Sequence, residues 1–172
     1  MKSQGLNPSL FVRKGGELPL SGSALLELLR AVLDKGKPFR FRAKGSSMSP
    51  FVKDGDIITV SPLSGLSPRL GDVVAYVCAE TGTLVVHRVV GRRGNCCLIW
   101  GDNAAEGRDL TPEANVLGRV TRVERNGKDV SLCLGSERFL IAFLRRRELS
   151  WKTAHLLWRI MRPMYHWIQG LA

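Results

Sequence analysis

Alternation of apolar and polar residues dominates the middle of the chain. In PFRFRAK, Phe39, Phe41 and Ala43 alternate with Arg40, Arg42 and Lys44, which predicts a half-buried strand with a basic outer face. The same reading predicts further strands in DIITVS, DVVAYVC, TLVVHRVVGR, NCCLIW, VLGRVTRVE and KDVSLCL, seven in all. Asp54-Gly55, Thr81-Gly82, Arg93-Gly94 and Asn126-Gly127 punctuate them, and the Asn-Gly pair is a strong hairpin signal. Ahead of the strands, ALLELLRAVLDKG places Leu25, Leu28, Leu29 and Val32 on one helical face, with Ser21 or Ser23 as cap and Gly36 as stop. The expected architecture is mainly β. A loose leader covers 1–20, a helix 21–36 and an antiparallel β domain 37–134.

Beyond Gly135 the hydrophobic period lengthens. Trp151, Ala154, Trp158, Met161, Tyr165 and Ile168 recur at spacings of three and four, and Pro163 is expected to kink or split the helix. Residues 136–172 carry seven Arg or Lys against two Glu. Such an amphipathic, basic helical tail suits contact with a membrane surface, with Trp151, Trp158 and Trp167 as interfacial anchors. It equally suits packing on the β domain or on a partner.

Composition narrows the class. With 172 residues the chain fits one domain and an appendage, and its 44% hydrophobic content is enough for a real core. The net charge of +11 points to an anionic neighbour, either nucleic acid or acidic lipid. Only about 36 residues precede the first strand, with one convincing helix, so a complete DNA-reading domain is not expected. Cys78, Cys96, Cys97 and Cys133 have no C-x-x-C spacing, and reduced thiols in the cytoplasm are expected. No metal or cofactor is expected. The first twenty residues hold no secretory signal, and no segment reaches the ~20 apolar residues a membrane span needs. The expected location is therefore cytoplasmic or peripheral at a membrane surface. Oligomeric state leaves no mark in the sequence.

Candidate chemistry lies in GSSMSP, residues 45–50. A serine hydroxyl becomes a nucleophile only when a base takes its proton. Of the three histidines, only His87 lies in the β region, on the strand face of Val85 and Val89, where partial desolvation favours the neutral form a base must have. The adjacent Arg88 has too high a pKa for that task. Taken singly, a loop serine and a strand histidine are ordinary residues. Their company and order change the reading.

GSSMSP, DGDIITV, GDVVAYV, LVVHRVVG and GDNAAEGRD, in that order over about residues 40–125, resemble the type I signal peptidases. The resemblance implies a coiled antiparallel β-sheet domain and a serine endopeptidase. It matches Ser47 to the nucleophile, Met48 to the residue packed beneath it, and Pro50 to the proline closing the loop. His87 falls at the base position, as in the histidine-using branch typical of archaeal, endoplasmic-reticulum and some Gram-positive enzymes. Gly101, Asp102 and Asn103 match the start of the last box, and Asp109 its final aspartate. Asp109, with Asp102 as substitute, is expected to fix the imidazole tautomer.

The family usually has a serine or threonine where Gly45 stands. The oxyanion hole is therefore expected to rest on backbone N–H groups, chiefly that of Ser47, helped by Ser46, with Gly45, Asp102 and Asn103 supporting the site. The family's usual N-terminal transmembrane anchor is also missing from this sequence. The implied partner is a peptide or precursor protein bound as an extended strand, with small pockets reading small residues. Two other readings stay open. One is a non-catalytic relative that binds peptide or scaffolds a membrane complex, which Gly45 favours. The other is a self-cleaving repressor-like protease, a related group that usually employs lysine.

Overall fold

The computed structural model describes residues 22–104, 107–130 and 134–147; the expected leader, Cys133 and the stripe from Trp151 onward lie outside them. The leucine-rich segment forms α1 (Gly22–Asp34). Its fully buried positions are Leu29 and Leu33, while Leu25, Leu28 and Val32 are half-buried. Leu29 and Leu33 sit one turn apart, so the buried stripe is narrower and slightly rotated from the expected one. Ser23 lies within the first turn rather than at a cap position. Gly36 ends the helix in the left-handed region, at φ 69°, with its N–H on the Leu33 carbonyl at 2.8 Å.

Eight strands follow: β1 (Phe39–Arg42), β2 (Ile57–Ser61), β3 (Val73–Val77), β4 (Leu84–Arg93), β5 (Cys96–Trp100), β6 (Asp109–Pro112), β7 (Val116–Arg125) and β8 (Lys128–Asp129). They form one antiparallel sheet in the order β1-β2-β7-β3-β4-β5-β6, with β8 paired to β7. Two strands differ from expectation. β6 is additional; its four residues DLTP hold an aspartate and a proline and show no clean alternation, so only pairing with β5 reveals it. β8 is two residues long, shorter than the KDVSLCL segment suggested. At the β7–β8 turn both Asn126 (φ 52°) and Gly127 (φ 74°) are left-handed, the requirement of a two-residue hairpin.

The sheet is packed on both faces. One core joins Leu29 and Leu33 of α1 to Met48, Phe51, Ile58, Val60, Val73 and Ala75. The other joins Val74, Tyr76, Val89, Cys97, Ile99 and Val116. β3 therefore contributes alternate residues to both cores, and all of Val73, Val74, Ala75 and Tyr76 are buried. β4 changes partner along its length. Leu84–Arg88 pair with β3 and Arg88–Arg93 with β5, so among the described residues one side of its first half is left without a ladder. A second helix, α2 (Glu137–Arg146), lies on β4. Among the described residues no helix is long and apolar enough to cross a membrane.

Candidate active site

Ser47 sits in the loop between β1 and β2, and the loop is pinned on three sides. Met48 is buried in the first core and anchors it from below. The Gly45 N–H donates to the Asp54 carboxylate at 2.8 Å. The third restraint comes from the segment after β5. The Asn103 N–H donates to the Ser47 carbonyl at 2.7 Å, and the Asn103 side-chain amide donates to the Ser46 carbonyl at 3.3 Å. Gly101 makes this approach feasible. A Cβ at that position would stand 2.8 Å from the Ser47 carbonyl and 3.0 Å from His87 Nε2.

Held this way, Ser47 Oγ lies 3.0 Å from His87 Nε2, across 40 positions of sequence. His87 projects from β4 on the side of the second core, opposite Val74 of β3. The other imidazole nitrogen, Nδ1, is 3.3 Å from the Tyr76 hydroxyl. Tyr76 donates in turn to Asp109 Oδ2 through a short hydrogen bond. Asp109 thus meets the imidazole through Tyr76 rather than directly, which corrects the expected direct contact. Sequence reading missed Tyr76. Its only trace was a polar-tipped residue at an inward position of a strand otherwise apolar.

Donor and acceptor counting sets the direction of this chain. An ionised carboxylate only accepts, so the Tyr76 O–H must donate to Asp109. The Tyr76 oxygen is then left to accept from Nδ1–H, which makes Nε2 the bare nitrogen facing the Ser47 hydroxyl. Burial, reinforced by Asp109, pushes the Tyr76 pKa up and keeps its proton in place. Burial also lowers the His87 pKa below 6.5; Asp109 and Asp102 act against that shift, and Arg145 adds to it. The resting imidazole is neutral at pH 7.

The other expected residues have definite places. Asp102 is turned away from the imidazole and forms a bidentate pair with Arg88, at 2.9 Å to Nε and 2.8 Å to Nη2. Both side chains are essentially fully buried. That pairing takes Asp102 out of the role of substitute for Asp109. The remaining Arg88 Nη1 donates to the Gly71 carbonyl at 2.8 Å. Asn103 uses both its donors on the serine loop, so its contribution is positional. Gly45 is left-handed at φ 91°, a conformation that strains any L side chain, and its N–H is already engaged by Asp54. The serine or threonine that the resemblance leads one to expect there fits this backbone poorly. Ser46 is exposed. Arg145 of α2 completes the surroundings, donating from Nε to the Gly101 carbonyl at 2.8 Å and also to the Ala104 carbonyl.

Beside Ser47 opens a cleft of about 460 Å³. It is lined by Phe41–Gly45 from the end of β1 and the loop after it, by Thr83–Val86 at the start of β4, and by Leu25 of α1, Met48 and Val52. Among the described residues β1 has a partner on one side only, and the first half of β4 likewise, so the cleft runs between two strand edges. Among the described residues no cluster of His, Cys, Asp or Glu could hold a metal ion.

Compared with known protein families, residues 13–121 match the family model described as Peptidase S24-like, a span that includes Ser47, Tyr76, His87 and Asp109. No curated protein matches the chain.

Removing one partner of the buried ion pair leaves the other charge uncompensated. Asp102→Asn is expected to destabilise the protein by about 3–5 kcal/mol, read as a lowered midpoint in urea unfolding. An unchanged midpoint would mean that Arg88 finds another counter-charge.

Proposed function

The chain belongs to the Peptidase S24-like family, and from that premise we propose that it is a serine endopeptidase whose nucleophile is Ser47 and whose base is His87. The observation that carries this reading is the 3.0 Å contact between Ser47 Oγ and His87 Nε2. Ser47 attacks a peptide carbonyl while His87 takes its proton. The Ser47 N–H, which has no partner among the described residues, supplies a donor for the oxyanion, with Ser46 beside it. His87 then protonates the leaving amine, and water, activated by the same imidazole, hydrolyses the acyl-enzyme.

Asp109 and Tyr76 act on the imidazole together. Tyr76 is a positioning residue: its oxygen holds the Nδ1–H tautomer, and Asp109 holds the tyrosine proton away from the imidazole. The substrate is a peptide or precursor protein, entering the cleft as an extended strand with ladder positions on both edges. The narrower resemblance, to the histidine-using signal peptidases, is supported by His87 standing where other members have lysine. Self-cleavage is a second reading, supported by Gly22, the first described residue, lining the same cleft as Ser47. Fragments appearing at a rate independent of protein concentration would assign that mode.

Ser47→Ala and His87→Ala are each expected to lower cleavage of a model precursor peptide on the order of 10³-fold or more while the purified proteins keep their melting temperatures. Proteolysis retained by either variant would end the proposal.

The base must be neutral, so activity is expected to be full above pH 6.5 and to fall as pH drops through the lowered His87 pKa. A kcat/KM profile that instead rises toward acid would show a different base.

Tyr76→Phe removes the acceptor from Nδ1–H. A hydrogen bond to a charged group contributes about 1.5–3 kcal/mol, so kcat/KM is expected to drop roughly 10–100-fold. The same loss destabilises the imidazolium, and the acid limb should move to lower pH. A slower variant with an unmoved limb would make Tyr76 merely a packing residue.

A further inference from the structure

α2 turns two arginines together with apolar residues to the protein and leaves a second apolar stripe to solvent. Toward the sheet it turns Arg138, Ile141, Ala142 and Arg145. Arg138 packs over Gly71, where an added Cβ would stand 2.9 Å from it, and donates to Asp72 at 2.9 Å. Arg145 lies 3.7 Å over the Trp100 ring and bonds the Gly101 carbonyl. On the opposite side Phe139, Leu140 and Phe143 are 45%, 42% and 52% exposed. A helix added to a domain normally buries its apolar stripe. This one buries Ala142, packs Ile141 on the first core and is fastened by arginines, yet leaves Phe139, Leu140 and Phe143 outward.

The surroundings of that stripe indicate what covers it. Arg147 lies 5.5 Å over the Phe143 ring and Arg138 4.8 Å over the Phe139 ring, and both Arg146 and Arg147 are exposed. The one carboxylate of α2, Glu137, accepts from the Gly135 N–H at the opposite end. Apolar rings framed by guanidinium groups are complementary to a layer with acyl chains below and anionic headgroups above. At ten residues α2 spans only about 15 Å, too short to cross a bilayer, so it can only lie flat. The net charge of +11 favours the same neighbour. We propose that the outward face of α2, Phe139–Leu140–Phe143 with Arg147, docks on an anionic lipid surface.

This docking brings the serine loop close to the membrane. Arg145 holds the Gly101–Ala104 segment from α2, and Asn103 of that segment holds Ser47. The inference does not depend on the peptidase reading, and Ser47→Ala is expected to bind lipid like the parent protein.

The full chain should float with phosphatidylcholine vesicles containing phosphatidylglycerol and bind pure phosphatidylcholine on the order of tenfold less, with salt weakening the binding. The double substitution Phe139→Gln and Phe143→Gln should reduce binding to anionic vesicles on the order of tenfold or more. Its melting temperature should hold, since both side chains are already exposed. If that variant fails to fold, Arg147→Gln tests the same face and should weaken anionic-vesicle binding. Three results would overturn the proposal. The parent could ignore anionic vesicles; the folded variants could bind them undiminished, assigning any lipid contact to residues 148–172; or the face could instead support a concentration-dependent dimer that the substitutions abolish.

Discussion

A buried guanidinium holds the candidate site together. Arg88 follows His87 in β4, and its fork grips Asp102 at 2.8 and 2.9 Å with no access to water. This joins the strand carrying the imidazole to the segment that restrains the serine. Asp102 is flanked by Gly101, which allows the close approach, and by Asn103, which bonds the Ser46 and Ser47 carbonyls. The pair is costly to desolvate, and hydrophobic residues often replace such pairs without loss of stability. Its value here is geometric. A bidentate Arg–carboxylate contact fixes both distance and orientation, which an apolar contact would leave loose.

The sheet makes that restraint effective. Because β4 leaves β3 and joins β5 at Arg88, the strand serves two ladders, and His87 sits at the end of the first. Its neighbours Tyr76 and Val74 are fixed by β3, which is buried on both faces. The imidazole therefore has rigid walls, while the serine arrives on a loop. The loop is restrained by Met48 and Asp54 within the β1–β2 connection and by Asn103 from the segment after β5. α2 adds a fourth connection through Arg145.

Much of this was legible in the sequence, for physical reasons that differ from place to place. Strands such as PFRFRAK and LVVHRVVG alternate because one face meets a core, and the alternation survives in a single sequence. Asn126-Gly127 predicts its hairpin because only such residues take two left-handed positions cheaply. Ser47 and His87 could be paired through the order of their motifs. What could not be read was contact between side chains on non-adjacent elements. The sequence places Tyr76 among apolar residues, and nothing local says that its hydroxyl lies between Asp109 and an imidazole. Asp109 is preferred for the imidazole with Asp102 as substitute, since each is one carboxylate in a polar segment. The fold separates them: one meets Arg88 in the dry interior, the other starts β6 beside Tyr76. α2 falls in the tail read as helical, while the stripe read from periodicity, Trp151 to Ile168, lies outside the described residues.

The electrostatics of the imidazole balance two demands of the proposed chemistry. At rest His87 must be neutral, and burial together with Arg145 favours that form. During attack it must carry a positive charge, which the same burial opposes. Asp109 and Asp102 supply the compensating negative potential, but neither touches the ring. Tyr76 transmits part of it, since donating to Asp109 makes its oxygen a better acceptor for Nδ1–H. A directly bonded carboxylate would raise the imidazole pKa further and protonate more of the resting base. An interposed phenol gives orientation with a weaker pull. The arrangement thereby keeps the base available at neutral pH while still favouring the imidazolium once the proton has moved.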